Sequence, residues 1–227
     1  MKTSKDKPAP PPKTRVFLVD DHPVVRAGIR AVVNEQADME VCGEADSASE
    51  ALRLIAEHEP DVAVVDLSLK ASSGLELIKD VRLRHPRLVV LVLSMRDEAF
   101  YAERVLRAGA RGYVVKEEGC QVIVEAIHKV LKGQIYLSDH IASKMIGVYV
   151  GREKSTAPPI EQLTDRELQV FELIGKGIPT REIAVKLHLS IKTIDAHREN
   201  IKRKMGIESA TELLKQAIEW LRQQDQA

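Results

Sequence analysis

The feature that most narrows the fold is an alternation of short apolar runs with helix-period stretches, starting at Arg15 and lasting more than half the chain. The runs Val16–Val19, Met39–Cys42, Val62–Val65, Leu88–Leu93 and Gly112–Val115 have the length and apolar character of buried strands. Amphipathic segments lie near Pro23–Asn34, Ala48–Glu57, Leu75–Arg84, Ala99–Ala108 and Gln121–Leu131. Five strands alternating with five helices predict an α/β domain over residues 15–135, built on a doubly wound parallel sheet.

The flanking segments read differently. Residues 1–14 are rich in Pro and Lys with few apolar groups, the composition of a disordered tail. After Gly133 a helical period of moderate strength covers Asp139–Val150. The polar, proline-containing stretch Gly151–Pro159 then completes a linker, residues 136–159. Residues 160–227 read as four short helices. Thr164 with Glu167 and Ser209 with Glu212 have capping-box spacing, and Thr180 and Ser190 stand where an N-cap would.

Composition enters mainly by exclusion. Cys42 and Cys120 have neither disulfide density nor metal-ligand spacing and read as core filler in a reducing compartment. No apolar run reaches the roughly 18 residues of a membrane span, and the N-terminus lacks the apolar middle of a secretory signal, so the expected location is the cytoplasm. The formal net charge of +0 hides a local excess, because Lys192 to Lys204 carry five basic and two acidic residues. That is a field suited to phosphates.

In an open parallel sheet, ligands collect beyond the carboxyl ends of the strands. Here the first strand runs into Asp20-Asp21, the third into Asp66, the fourth into Ser94 and the fifth into Lys116. Three carboxylates, a hydroxyl and an amine are thereby expected in one crevice. Such a set suits phosphoryl transfer to a carboxylate, with Asp66 as nucleophile. Mg2+, an ion that takes oxygen ligands, would offset the repulsion between two anions. Lys116 would neutralise a phosphoryl oxygen, and the Ser94 hydroxyl would donate to another.

With Gly112-Tyr113-Val114-Val115-Lys116, these positions resemble the receiver domain of two-component response regulators over about residues 15–135. The resemblance implies a flavodoxin-like fold and a sensor histidine kinase as phosphoryl donor. It also implies Mg2+ held by Asp21, Asp66 and the Ser68 carbonyl, with Asp20 the other member of the acidic pair, and a switch in which Ser94 moves toward the phosphoryl group while Tyr113 turns inward. Two positions depart from the common receiver pattern, Lys70 and Glu117 standing where proline is frequent.

In the C-terminal part, Ile191, Ile194, Ile201 and Met205 share one side of a helix that starts near Ser190, a side expected to pack on Thr180–Leu187. The outer face carries Lys192, Asp195, Ala196, Glu199 and Arg203, flanked by Thr193 and Lys202. Lys192, Arg198, Lys202 and Arg203 are expected to hold phosphates, and the carboxylates at the centre of the face, Asp195 and Glu199, to accept from cytosine at one or two positions in the major groove. His197 is expected at a packing boundary, and Trp220 in the core or at a dimer surface. Leu163–Glu167, Glu182–Ala184, Ser190–Ile194, His197 and Lys204–Gly206 resemble the LuxR-type helix-turn-helix of NarL/FixJ-type regulators. That resemblance implies double-stranded DNA as partner and a final helix that pairs subunits.

The expected protein is therefore a phosphorylation-controlled DNA-binding regulator and not an enzyme, forming a homodimer when phosphorylated. Two alternatives are a Mg2+-dependent phosphohydrolase, which would want a second Asp where Ser68 stands, and a regulator controlled by a small ligand without phosphate.

Overall fold

The computed structural model describes residues 12–69, 73–150 and 158–224. Its order is β1 (Thr14–Val19), α1 (Pro23–Asn34), β2 (Met39–Ala45), α2 (Ala48–His58), β3 (Val62–Val65), α3 (Gly74–Arg84), β4 (Val89–Ser94), α4 (Glu98–Ala108), β5 (Gly112–Val115) and α5 (Cys120–Leu131). These are followed by α6 (Asp139–Tyr149), α7 (Asp165–Gly175), α8 (Thr180–Lys186), α9 (Ile191–Met205) and α10 (Ala210–Gln224). The five strands form one parallel sheet in the order β2-β1-β3-β4-β5. This is the flavodoxin-like doubly wound arrangement, whose switch point lies between β1 and β3.

Strand alternation assigns each side chain to a face. Val16 and Leu18 pack with Ile29 of α1 and Ile127 of α5, whereas Phe17 and Val19 pack with Ile55 of α2, Ile78 of α3 and Val105 of α4. Both faces are covered by helices, which is why the strands read as unbroken apolar runs. β1 begins at Thr14, ahead of the apolar run, because Thr14 N–H donates to the Asp38 carbonyl at 2.8 Å. Cys42 is half-buried, with Sγ 3.4 Å from the Val16 carbonyl. The Cys120 side chain, Lys70 and most of the expected tail and polar linker stretch lie outside the described residues.

One connection was not legible. Tyr136 bridges Gly112 beside β5, with Tyr113 N–H donating to the Tyr136 carbonyl at 2.8 Å. A Cβ at Gly112 would stand 2.8 Å from both Cβ and the carbonyl oxygen of Tyr136, so this approach requires glycine. The bridge leads into α6, where Ser138 N–H donates to Glu98 Oε1 of α4 at 2.9 Å.

Candidate functional site

Because the strands run parallel, their carboxyl ends share one edge of the sheet, and the sequence-predicted acidic groups meet there. Asp20, Asp21 and Asp66 are buried, and Ser94 has no exposed surface. Lys116 Nζ donates to Asp20 Oδ2 at 2.6 Å and Asp66 Oδ2 at 2.7 Å, joining the ends of β1, β3 and β5. Burial disfavours the charge on Lys116, but Asp66 and Asp20 outweigh it and raise its pKa. The second oxygen of Asp66 accepts from Ser68 N–H at 3.0 Å.

His22, which the sequence reading passed over, also belongs here. Its Nδ1 lies 2.8 Å from Asp21 Oδ1, and its backbone N–H donates to Asp20 Oδ1 at 2.7 Å. Donor atoms of Asp20, Asp21, His22 and Asp66 all fall within 4.8 Å of one another. Three buried carboxylates facing one ammonium leave an excess of negative charge that a divalent cation would offset, and their oxygens suit a hard ion. The adjacency of His22 to the acidic pair was the available signal.

Ser94 and Tyr113 meet at Arg96, two residues beyond β4. Arg96 N–H donates to Ser94 Oγ at 3.3 Å, and the Tyr113 hydroxyl donates to the Arg96 carbonyl at 2.7 Å. The Tyr113 ring is buried, so the aromatic lies inward. Burial, above all, pushes its phenol well above the usual range. Arg96 Nε donates to Ser68 Oγ at 3.0 Å, and its Nη2 reaches Glu172 Oε2 of α7 at 2.9 Å. Nothing local to Arg96 could announce a partner so distant in sequence. Glu117 sits in a 3-10 turn, Lys116–Glu118, and the described residues contain no cis peptide.

The C-terminal helices form a second candidate site. Thr164 and Glu167 make the expected capping box at α7, Ser190 Oγ accepts from Thr193 N–H at 3.0 Å to start α9, and Ser209 Oγ accepts from Glu212 N–H at 3.1 Å. Thr180 is instead the first residue of α8, with Pro179 at the cap position, since the proline carries the extended backbone. Ile194 and Ile201 of α9 are fully buried and Met205 is half-buried. Ile191 is 49% exposed, correcting its expected packing: it is the first residue of α9, a turn ahead of the buried Ile194.

The outer face of α9 presents Lys192, Asp195, Ala196, Glu199 and Arg203 to solvent, with Thr193, Arg198 and Lys202 half-buried beside it. Arg198 Nη1 donates to Thr180 Oγ1 at 3.3 Å, Lys202 pairs with Glu199 at 2.8 Å, and Arg203 donates to Asn200 at 2.9 Å. His197 is half-buried, and Trp220 of α10 stands against Phe171 of α7 and Phe100 of α4. Lys204 is taken up internally, donating to Glu167 Oε2 at 2.6 Å. Burial works against the Glu167 charge, but Lys204 and the Thr164 cap prevail and lower its pKa.

Known families match both halves. Residues 16–128 match the response regulator receiver domain, and residues 161–217 match the bacterial regulatory proteins of the luxR family. The chain is 35% identical over 209 residues to the oxygen regulatory protein NreC of Staphylococcus haemolyticus (strain JCSC1435), covering 90% of this chain and 96% of that protein. NreC of Staphylococcus aureus (strain MRSA252) matches with the same identity and coverage. Among solved structures, the RcsB response regulator of Salmonella typhimurium superposes with a TM-score of 0.72 at 26% identity, over 92% of this chain and 98% of that one. RcsB of Salmonella enterica serovar Typhimurium bound to promoter rprA with the phosphomimetic BeF3- superposes with a TM-score of 0.68 at 26% identity, over 89% and 97%. With a receiver sheet, an acidic crevice at its carboxyl edge and a helix-turn-helix in family order, the chain belongs to the NarL/FixJ-type response regulators, DNA-binding proteins of two-component systems.

Proposed function

We propose that Asp66 is the phosphoryl acceptor and that α9 is the helix entering the DNA major groove. The observation carrying the first assignment is a single contact set: the buried Asp66 carboxylate shares Lys116 Nζ with Asp20 at 2.6–2.7 Å, beside Asp21. Asp20, Asp21 and Asp66, with the Ser68 carbonyl, are the residues that would hold Mg2+. The ion, when bound, supplies charge neutralisation between nucleophile and phosphoryl group.

An Asp66 Oδ lone pair forms the O–P bond as the P–N bond of the kinase phosphohistidine breaks. The leaving electron pair stays on the imidazole nitrogen, so no proton need come from Asp66. Lys116 balances charge that moves onto the phosphoryl oxygens, and Ser94, released from Arg96 N–H, donates to one of them. Ser68 stands where a D-x-D phosphohydrolase would carry its second aspartate, which favours a regulator over that enzyme.

On α9, Lys192, Arg198, Lys202 and Arg203 serve phosphates while Thr193, Asp195, Ala196 and Glu199 face base edges. Phosphorylation shifts the population toward a homodimer that binds two half-sites. The RcsB complex with promoter DNA and BeF3- supports this reading by likeness. Among the described residues no helix is long and apolar enough to cross a membrane. The test compares the parent with Asp66→Asn for labelling by a phosphorylated histidine kinase, dimerisation and promoter affinity. Equal labelling or equal gain in affinity refutes the assignment.

A further inference from the structure

Arg96 makes more connections than its place two residues after Ser94 suggests. Its guanidinium reaches Ser68 Oγ, the Tyr101 hydroxyl and both Glu172 oxygens, while the Tyr101 hydroxyl donates to Glu172 Oε1 at 2.6 Å. Its backbone holds Ser94 Oγ and the Tyr113 hydroxyl. Ser68 N–H in turn donates to Asp66 Oδ1. One residue therefore touches Ser68 through its side chain and Ser94 and Tyr113 through its backbone, while the same guanidinium holds an acid of the DNA-binding half.

Around this pair the two halves are docked by Arg104 on the Leu163 and Glu161 carbonyls, by Lys79 and Arg104 on Asp165, and by Phe100 against Trp220 at 5.4 Å between ring centroids. The contact takes up α7 and the Trp220 side of α10, and leaves the outer face of α9 exposed. What the docked arrangement restrains is thus the last helix, not access of α9 to a groove.

A guanidinium has one positive charge to give, and here Glu172 takes it. A phosphoryl group on Asp66 would be a second anion beside Ser68, which donates its N–H to Asp66 Oδ1 and accepts from Arg96 Nε at its Oγ, and turning Ser94 toward that group breaks its bond from Arg96 N–H. We infer that Arg96 is a positioning residue for phosphoryl uptake at Asp66 and that Glu172 of the DNA-binding half competes for it, so that domain docking slows uptake and uptake loosens docking. The two effects are linked reciprocally. This deepens the assignment of Asp66 and rests on it.

The experiment uses the full chain with Mg2+ and phosphoramidate as donor. The donor P–N bond breaks and its electron pair leaves on nitrogen, which departs as ammonia after taking a proton from water, while Asp66 forms the O–P bond. Phosphorylation rate is followed by phosphate-affinity electrophoresis, beryllofluoride affinity by titration, and docking by the emission of Trp220, the single tryptophan. E172Q and E172K should each raise the rate and the beryllofluoride affinity about fivefold or more. Adding R96Q to E172Q should cancel the gain, and R96Q alone should raise Trp220 exposure without speeding uptake. Rates equal to the parent in both Glu172 variants overturn the inference, as does a gain that survives R96Q. A parent that takes up no phosphoryl group at all refutes the Asp66 assignment instead.

Discussion

Replacing Lys116 with methionine tests the charge balance of the acidic crevice. The ammonium stands 2.6 and 2.7 Å from oxygens of Asp20 and Asp66, and its side chain is only 9% exposed. At about 2.7 Å and an effective dielectric constant of about 20, each attraction is about 6 kcal/mol before desolvation is subtracted. Removing one member of a buried pair typically costs about 3–5 kcal/mol net, because the partner charge is left without compensation. For Lys116→Met the expectation is a loss of that size, against a total stability of about 5–15 kcal/mol. Since the Lys116 pKa is raised above its ordinary 10.5, its stabilisation is present below that pH and fades as pH rises through the folded value. The gap between parent and variant should therefore hold at neutral pH and close in strong alkali. Urea titrations with and without MgCl2 provide the assay. Mg2+ at about 100 times its Kd adds about 2.7 kcal/mol by mass action, and should help the variant more than the parent because more negative charge awaits it. A variant within about 1 kcal/mol of the parent in Mg2+-free buffer would refute the reasoning.

Gly74→Ala should destabilise the chain by about 1–3 kcal/mol or more and slow labelling of Asp66; its Cβ would stand 2.2 Å from the Asp66 carbonyl oxygen and 2.6 Å from Leu67 Cα, backbone that cannot yield without moving the acceptor loop. Labelling at the parent rate would contradict this. Glu167, its pKa lowered from 4.5, should stabilise the helix-turn-helix above that pH and lose the contribution as pH falls through the folded value. Thermal melts from pH 6 downward should show an acid-limb decline that E167Q flattens, and parallel curves would count against it. Asp195→Ala should abolish preference for C at one or two operator positions in a randomised-site binding assay, with little loss of overall affinity; an unchanged preference would end that reading of α9.

Strand-end chemistry was readable in Asp20, Asp66, Ser94 and Lys116 because parallel strands must bring their carboxyl ends to one edge. Likewise Thr164, Ser190 and Ser209 marked helix starts because a cap acts on N–H groups two or three residues away. Both inferences use local or topological rules that a linear pattern carries. Thr180 misled because the residue before it, Pro179, carries the extended backbone of the cap. Ile191 misled because helical periodicity says which side it faces but not whether the first residue of the helix is covered.

By itself the sequence determined the sheet, its five parallel strands, the acidic crevice and the order of the two halves, since apolar periodicity and strand-end polarity act over a few residues each. Only the tertiary structure decided that Tyr136 extends the sheet beside Gly112, that His22 joins the acidic cluster, and that Arg96 spends its charge on Glu172. A salt bridge across 76 residues depends on how two packed halves are set against each other, and no local pattern records it. The same docking places Trp220 against Phe100, which helical periodicity on α10 could not have specified.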